Sequence, residues 1–337
     1  MSRMRLACLL GIAAIYLAVA PAMAGRLEDI KARGAVNCGV FPGVAGFSVV
    51  SKDGRYSGFD IDICRAVSAA IFGVPDKVKF IAAPSIDVFR HSPGPDLVIR
   101  RLTWTLTREA PLGLMFGPII YFDGQGFLVP KSIGVTDVQK LTGKRVCVMS
   151  GEGWAGNLMR FSQANSLDIR SIVVTSRSDG EKAFIAGRCD AFSADKTMLG
   201  AIRADAAEPQ DYDILPEQIS KEPLAPLVRE GDDRFFQVVR WTVFALIESE
   251  ELSVTSKNID EMRNSSNPDV RALLGVAPGN GKALGLREDW AAKVISSIGN
   301  YGEIFARNVG PDSNIQLDRG LNRLWTDGGL MYAPPLR

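Results

Sequence analysis

The chain has 337 residues, 46% hydrophobic, 23% charged and 8% aromatic, a composition that excludes a disordered or fibrous protein. At roughly 150 residues per domain it predicts two domains. Lys and Arg number 39 against 38 Asp and Glu, a net charge of +1 with no long run of one sign, so no electrostatic footprint for nucleic acid or anionic membrane is present. A single histidine, His91, excludes His-rich metal centres and paired-histidine mechanisms, and no cofactor is expected.

Residues 1–24 read as a secretion signal: Arg3 and Arg5, an apolar stretch over 6–20, then Pro21-Ala22-Met23-Ala24 as a small-residue cleavage site. The apolar stretch is shorter than the ~20 residues that span a bilayer. Removing these 24 residues, with two arginines and no acid, turns the net charge from +1 to −1. Cys38, Cys64, Cys147 and Cys189 then remain, an even number in an exported chain, for which three pairings exist. Each lobe of a two-lobed protein would hold one pair, so Cys38 with Cys64 and Cys147 with Cys189 are expected as structural disulfides. No Cys-x-x-Cys points to redox or zinc chemistry.

Short apolar runs alternate with helical patterns, the signature of βα units around mainly parallel sheets. A strand is predicted over 35–40, then a helix over 59–72 with Asp60 and Asp62 at its positive end and Gly73 stopping it, then strands at 78–81 and 96–99. A second set follows: strand 144–149, helix 157–164, strand 169–175, helix 178–187 opened by Ser178 and Glu181 as a capping box, and strand 189–193. Pro216, Pro223 and Pro226 break the alternation before a long amphipathic helix from 232 to about 252. The remainder reads as helical decoration of the first lobe.

In open α/β sheets ligands bind beyond the carboxyl ends of strands. There the chain has Phe41-Pro42-Gly43-Val44, then Arg100 to Arg108, then Ser150-Gly151-Glu152-Gly153-Trp154, then Ala194-Asp195. These supply arginine for a carboxylate, hydroxyls, a glycine-rich helix start and an acid for an ammonium, an inventory suited to a zwitterion. Gly151-x-Gly153-x-x-Gly156 also spells a dinucleotide turn, yet the acid expected after the next strand is replaced by Thr175-Ser176-Arg177. His91 lies in a proline-rich turn and no Gly-x-Ser-x-Gly occurs, which leaves Glu152 as the one general-acid candidate.

At these residues the chain resembles a periplasmic polar amino-acid-binding protein of an ABC importer, that is, the bacterial extracellular solute-binding protein family 3 in its general L-amino-acid branch. The resemblance spans nearly the whole mature chain. It rests on Gly58-Phe59-Asp60-Ile61-Asp62-Ile63-Cys64-Arg65-Ala66-Val67, Thr103-Trp104-Thr105-Leu106 and Tyr121-Phe122-Asp123-Gly124-Gln125-Gly126-Phe127. Further strings are Ile219-Ser220-Lys221-Glu222-Pro223-Leu224, Val254-Thr255-Ser256-Lys257-Asn258, Gly299-Asn300-Tyr301-Gly302-Glu303-Ile304-Phe305 and Tyr332-Ala333-Pro334-Pro335.

The resemblance implies a two-lobed periplasmic-binding-protein fold of type II, α/β, with a ligand cleft between lobes joined by two hinge strands, near 125–129 and 224–229. The lobes would comprise residues 25–124 with 225–337, and 125–224. It further implies a non-enzymatic monomer that captures an L-amino acid and presents it to an inner-membrane ABC permease. Arg108 would grip the α-carboxylate, Thr103 would add hydroxyl and main-chain contacts, and Asp195 would hold the α-ammonium. Phe41 and Val44 would face the side chain, and the turn from Gly151 through Gly153 to Trp154 would supply amides.

Three departures from the family pattern stand out. Gly151-Glu152-Gly153 replaces Gly-Thr-Thr, Arg101-Leu102 replaces Asn-Thr, and 89–96 is shortened and proline-broken. Arg101 and Glu152 are candidates for a pair across the cleft. Two rival functions follow from these changes: a ligand sensor without transport, and a periplasmic lyase or dehydratase with Glu152 as acid.

Overall fold

A computed structural model describes residues 25–90, 94–150 and 153–336. The secretion signal expected over 1–24, His91, Gly151 and Glu152 lie outside the described residues.

The chain opens with α1 (Arg26–Arg33), β1 (Val36–Val40), the short strands β2 (Val49–Val50) and β3 (Tyr56–Ser57), then α2 (Phe59–Phe72), β4 (Val78–Ala82) and β5 (Leu97–Val98). After one turn, α3 (Leu106–Glu109), come β6 (Leu114–Phe116) and β7 (Tyr121–Asp123). The second lobe holds β8 (Gln125–Pro130), β9 (Arg145–Met149), α4 (Trp154–Ala164), β10 (Arg170–Val174), α5 (Arg177–Ile185), β11 (Ala191–Asp195), α6 (Lys196–Asp205) and β12 (Tyr212–Ile214). β13 (Glu222–Leu224) and β14 (Leu227–Arg229) return to the first lobe. There α7 (Asp233–Glu251), α8 (Ile259–Met262), α9 (Pro268–Leu273), α10 (Asn280–Leu284), α11 (Trp290–Ile298) and α12 (Tyr301–Asn308) follow.

Two five-stranded sheets result, ordered β4-β1-β5-β14-β6 and β10-β9-β11-β8-β12. In the first, β1 runs parallel to β4 and β5, and β14 runs antiparallel to β5 and β6. In the second, β9 is parallel to β10 and β11, while β8 is antiparallel to β11 and β12. The inner strands β1 and β9 are buried on both faces, which is why β9 reads as the apolar run Val146-Cys147-Val148-Met149 and β1 carries one polar side chain, Asn37. Helix α2 buries twelve of its fourteen residues between the first sheet, α7 and α11, so it is apolar nearly all round.

The structure joins Cys38 to Cys64, tying β1 to α2, and Cys147 to Cys189, tying β9 to the turn before β11. The strands expected as hinges differ in position. Residues 125–129 belong to β8, inside the second sheet, and 227–229 to β14, inside the first. The crossing itself is a two-stranded antiparallel ribbon, β7 with β13, in the register Tyr121 to Leu224 and Asp123 to Glu222. A second difference lies at α5, whose cap is Ser176 and not Ser178: the Ser176 hydroxyl accepts from the Asp179 amide, and Arg177 pairs with Glu181. Helix α4 begins at Trp154, three residues before the expected start.

Candidate functional site

A cavity of about 440 Å³ opens where the carboxyl ends of the two sheets face each other beside the ribbon. It collects Phe41, Arg101, Thr103, Arg108, Trp154 and Asp195 from the expected set. Two expected residues stand off it. Val44 is buried with its backbone bridged to Ser48, and Gly153 caps α4 in a left-handed conformation at φ 82° without lining the cavity.

The first-lobe wall is the loop 100–108, held in place by the ribbon. The Trp104 amide donates to Pro223 O at 2.8 Å, and Thr103 Oγ1 donates to Glu222 Oε2 at 2.6 Å. Trp104 stacks on Phe116 at 5.8 Å, and its indole N–H donates to Glu109 at 2.8 Å, which fixes α3 and with it Arg108. Arg108 Nη1 donates back to Thr103 O at 3.0 Å, so the guanidinium stands beside the Thr103 residue. Arg101 adopts φ 54°, a left-handed turn uncommon outside glycine. That turn lays its guanidinium 5.5 Å over the Phe47 ring and carries Nη1 across to Thr197 Oγ1 of the second lobe at 3.2 Å. Arg100 covers Phe41 at 5.3 Å and donates to Pro84 O.

The second-lobe wall is set by Gln125, which is fully buried. Its amide nitrogen donates to Trp154 O at 3.0 Å and to Ser193 Oγ at 2.9 Å, so it fixes the start of α4 against the end of β11. Trp154 Nε1 then donates to Asp195 Oδ1 at 2.8 Å. Burial, reinforced by the neighbouring Asp123 and Glu222 carboxylates, pushes the Asp195 carboxyl up to about 8, against the opposing pull of Trp154 and Arg101. Asp123 is also pushed up by burial, although it accepts from Thr197 Oγ1 and from the Gly124 amide at 2.9 Å.

Among the described residues the cavity thus faces three arginines and three carboxylates, Asp123, Asp195 and Glu222. This set offers a guanidinium to a carboxylate and a carboxyl group to an ammonium. Sequence reasoning missed Asp123, Glu222 and Thr197. The first two lie inside the strings 121–127 and 219–224, which carry the family resemblance, and the crossing ribbon is what delivers their side chains to the cleft. No cluster of metal-ligating side chains occurs among the described residues.

The model of the bacterial extracellular solute-binding proteins, family 3, matches residues 36–259. The chain belongs to this family. It is 43% identical over 336 residues to the general L-amino acid-binding periplasmic protein of Rhizobium johnstonii, with 98% of each chain covered. It is 42% identical over 329 residues, 97% of each chain, to the glutamate/glutamine/aspartate/asparagine-binding protein of Rhodobacter capsulatus. A solved ABC transporter periplasmic binding protein from Brucella ovis with glutathione bound superimposes with a TM-score of 0.83 at 43% identity, covering 93% of this chain and all of that one. In this family 3 chain the described cleft occupies the gap between the two lobes, closed at one end by the β7–β13 ribbon.

Proposed function

We propose that this family 3 protein captures an L-amino acid, or a close zwitterionic analogue, and presents it in a closed form to an inner-membrane ABC-type permease. One observation carries the reading: Arg108 of the first lobe and the half-buried Asp195 of the second line the same cavity of about 440 Å³. A ligand bearing carboxylate and ammonium on one carbon engages both at once, and closure is stabilised by the difference in its affinity for the two forms. In this pose Arg108 and Thr103 bind the α-carboxylate, and Asp195, fixed by Trp154, binds the α-ammonium. Phe41 meets the side chain, and Trp154 borders the ligand from the second lobe. Arg101 lines the cleft as counter-charge to the carboxylates around it. Val44 is left out of the contact set because it lies off the cavity.

The same reading has the protein act without catalysis, as a monomer in the periplasm after cleavage behind Ala24. Its first lobe is built from 25–124 and 225–337, and its second from 125–224. A second ligand is favoured by the Brucella ovis relative: glutathione carries a free glutamate α-carbon, so its head group offers Arg108 and Asp195 the same carboxylate and ammonium.

The test is isothermal titration of refolded, ligand-free protein spanning 25–337 with each of the twenty L-amino acids and with glutathione. Binding of one or more is expected. Arg108→Ala and Asp195→Ala should each weaken it by more than about tenfold, because each leaves a ligand charge unpaired in a desolvated cleft. Silence of the folded protein across the panel would overturn the reading, and unchanged affinity in either variant would overturn the pose.

A further inference from the structure

The chain beyond α12 does not stay on the first lobe. From Gly310 it reaches α6 of the second lobe and then β7 of the ribbon, and makes contact at three places. At its first-lobe foot, Arg319 donates to both oxygens of Glu250 on α7, at 2.9 and 3.2 Å, and lies 4.9 Å over the Phe305 ring of α12. In the middle, the Asn322 side chain closes a pair of hydrogen bonds on one residue of β7. It accepts from the Phe122 amide at 2.7 Å and donates to Phe122 O at 3.1 Å, as a neighbouring strand would.

The other foot stands on the second lobe. Arg203 of α6 donates through Nη2 to Ile315 O and Gln316 O, each at 2.9 Å. Ile315 and Leu317 are buried over Gly200 of the same helix, where an added Cβ would come within 2.9 Å of Ile315 and 3.1 Å of Leu317. Helix α6 begins directly after Asp195 and carries Thr197, the acceptor of the Arg101 hydrogen bond. A cavity of about 470 Å³ lies between β7, α6 and this segment.

We propose that residues 310–322 form a third connection between the lobes, beside the two ribbon strands, with Arg203 and Asn322 as positioning residues that set how Asp195 faces Arg108. The proposal rests on lobe closure over a ligand as the mode of binding. The segment grips the second lobe in an arrangement where both lobes line one cavity and Arg101 reaches Thr197. Its bonds therefore favour the binding-competent arrangement, and apparent affinity scales with the population of that arrangement.

Two variants release the segment by different means. Arg203→Ala deletes the paired hydrogen bonds, while Gly200→Val wedges a side chain between α6 and Ile315. Leu321→Ala, at a half-exposed residue of the same segment, is the control. Small-angle X-ray scattering of the ligand-free mature protein reads the lobe arrangement, and titration with L-glutamate and with glutathione reads affinity. Both releasing variants are expected to broaden the ligand-free distance distribution. Whichever probe binds the wild type should bind them about three- to tenfold more weakly, the worth of one or two hydrogen bonds. The control should match the wild type. Ligand-free scattering identical to wild type in both releasing variants overturns the proposal, as does a lowered melting temperature with scattering and affinity unchanged. If neither probe binds the wild type, the capture reading fails for these ligands, and ligand-free scattering still decides whether the segment governs the lobes.

Discussion

Asp195 has the Trp154 N–H on one oxygen and two further carboxylates, Asp123 and Glu222, as neighbours, with Arg101 as the facing cation. Its carboxyl is pushed up to about 8 by burial first and by Asp123 second, which favours the protonated form of the ligand-free site toward neutral pH. In the proposed pose an ammonium ligand requires the carboxylate, so binding is expected to release that proton. Affinity should climb as pH rises toward 8, by up to about tenfold per unit, and level off above it. Titration in two buffers of different ionisation enthalpy should reveal proton release. Asp195→Asn should lose the pH slope, and a slope retained in that variant would assign it elsewhere. Stability has the opposite sign. Asp195 and Asp60, the latter raised by burial to about 7, bind protons more tightly folded than unfolded, where the value is 3.8. Their contribution to ligand-free stability therefore falls as pH rises from about 4 through 7 to 8, which thermal melts across that window would register. The acid itself was readable in the sequence from its place after a strand. Its protonation was not, because Asp123 and Glu222 come from ribbon strands 72 and 27 residues away and meet it only in the folded cleft.

Local signals located the elements where they were self-sufficient. The helix predicted over 59–72 forms over those residues because Gly58 and Gly73 bracket a run that is apolar on almost every face. Gly58 has φ 128°, and a Cβ there would fall 2.2 Å from Phe47 O. Gly58→Ala should therefore destabilise the protein by roughly 2 kcal/mol or more, measured by denaturant titration. Elements that rely on partners went unread. β13 is three residues long with Pro223 at its centre, and it forms because β7 pairs with it. α6 has no side-chain cap on its first turn, and its buried face of Leu199, Ala201 and Ile202 is defined by packing. The strand predicted over 96–99 forms over 97–98, beside an Asp96 carboxylate that accepts from the Asn37 amide at 2.7 Å and pairs with Arg33. The two disulfides close loops of 26 and 42 residues. The chain-entropy estimate is about 3 to 4 kcal/mol for each. Reduction should lower the melting temperature, and replacing Cys147 and Cys189 together with Ala should reproduce much of that loss.

For the molecule as a whole, binding and shape are linked. A ligand that touches both lobes stabilises the folded, closed form, by about 2.7 kcal/mol at one hundred times its dissociation constant. The ligand identified by titration should raise the melting temperature with increasing concentration and reduce the radius of gyration in solution scattering. A ligand that raises the melting temperature and leaves the radius unchanged would bind one lobe alone. The ribbon, two strands of three residues each, leaves such motion possible, and the third crossing at 310–322 bears on its range.

The amino-acid sequence by itself determined the family, through strings such as 58–67 and 121–127, along with the βα alternation and the even cysteine count of the exported chain. These are properties of contiguous residues or of composition. Only the tertiary structure decided the cleft. Arg108, Asp195 and Glu222 belong to one cavity because the chain crosses between the sheets twice, and Val44 falls outside it because the turn at 44–48 folds inward. The passage of 310–322 onto α6 was likewise illegible, since it depends on a bare Gly200 and one arginine meeting carbonyls more than a hundred residues later.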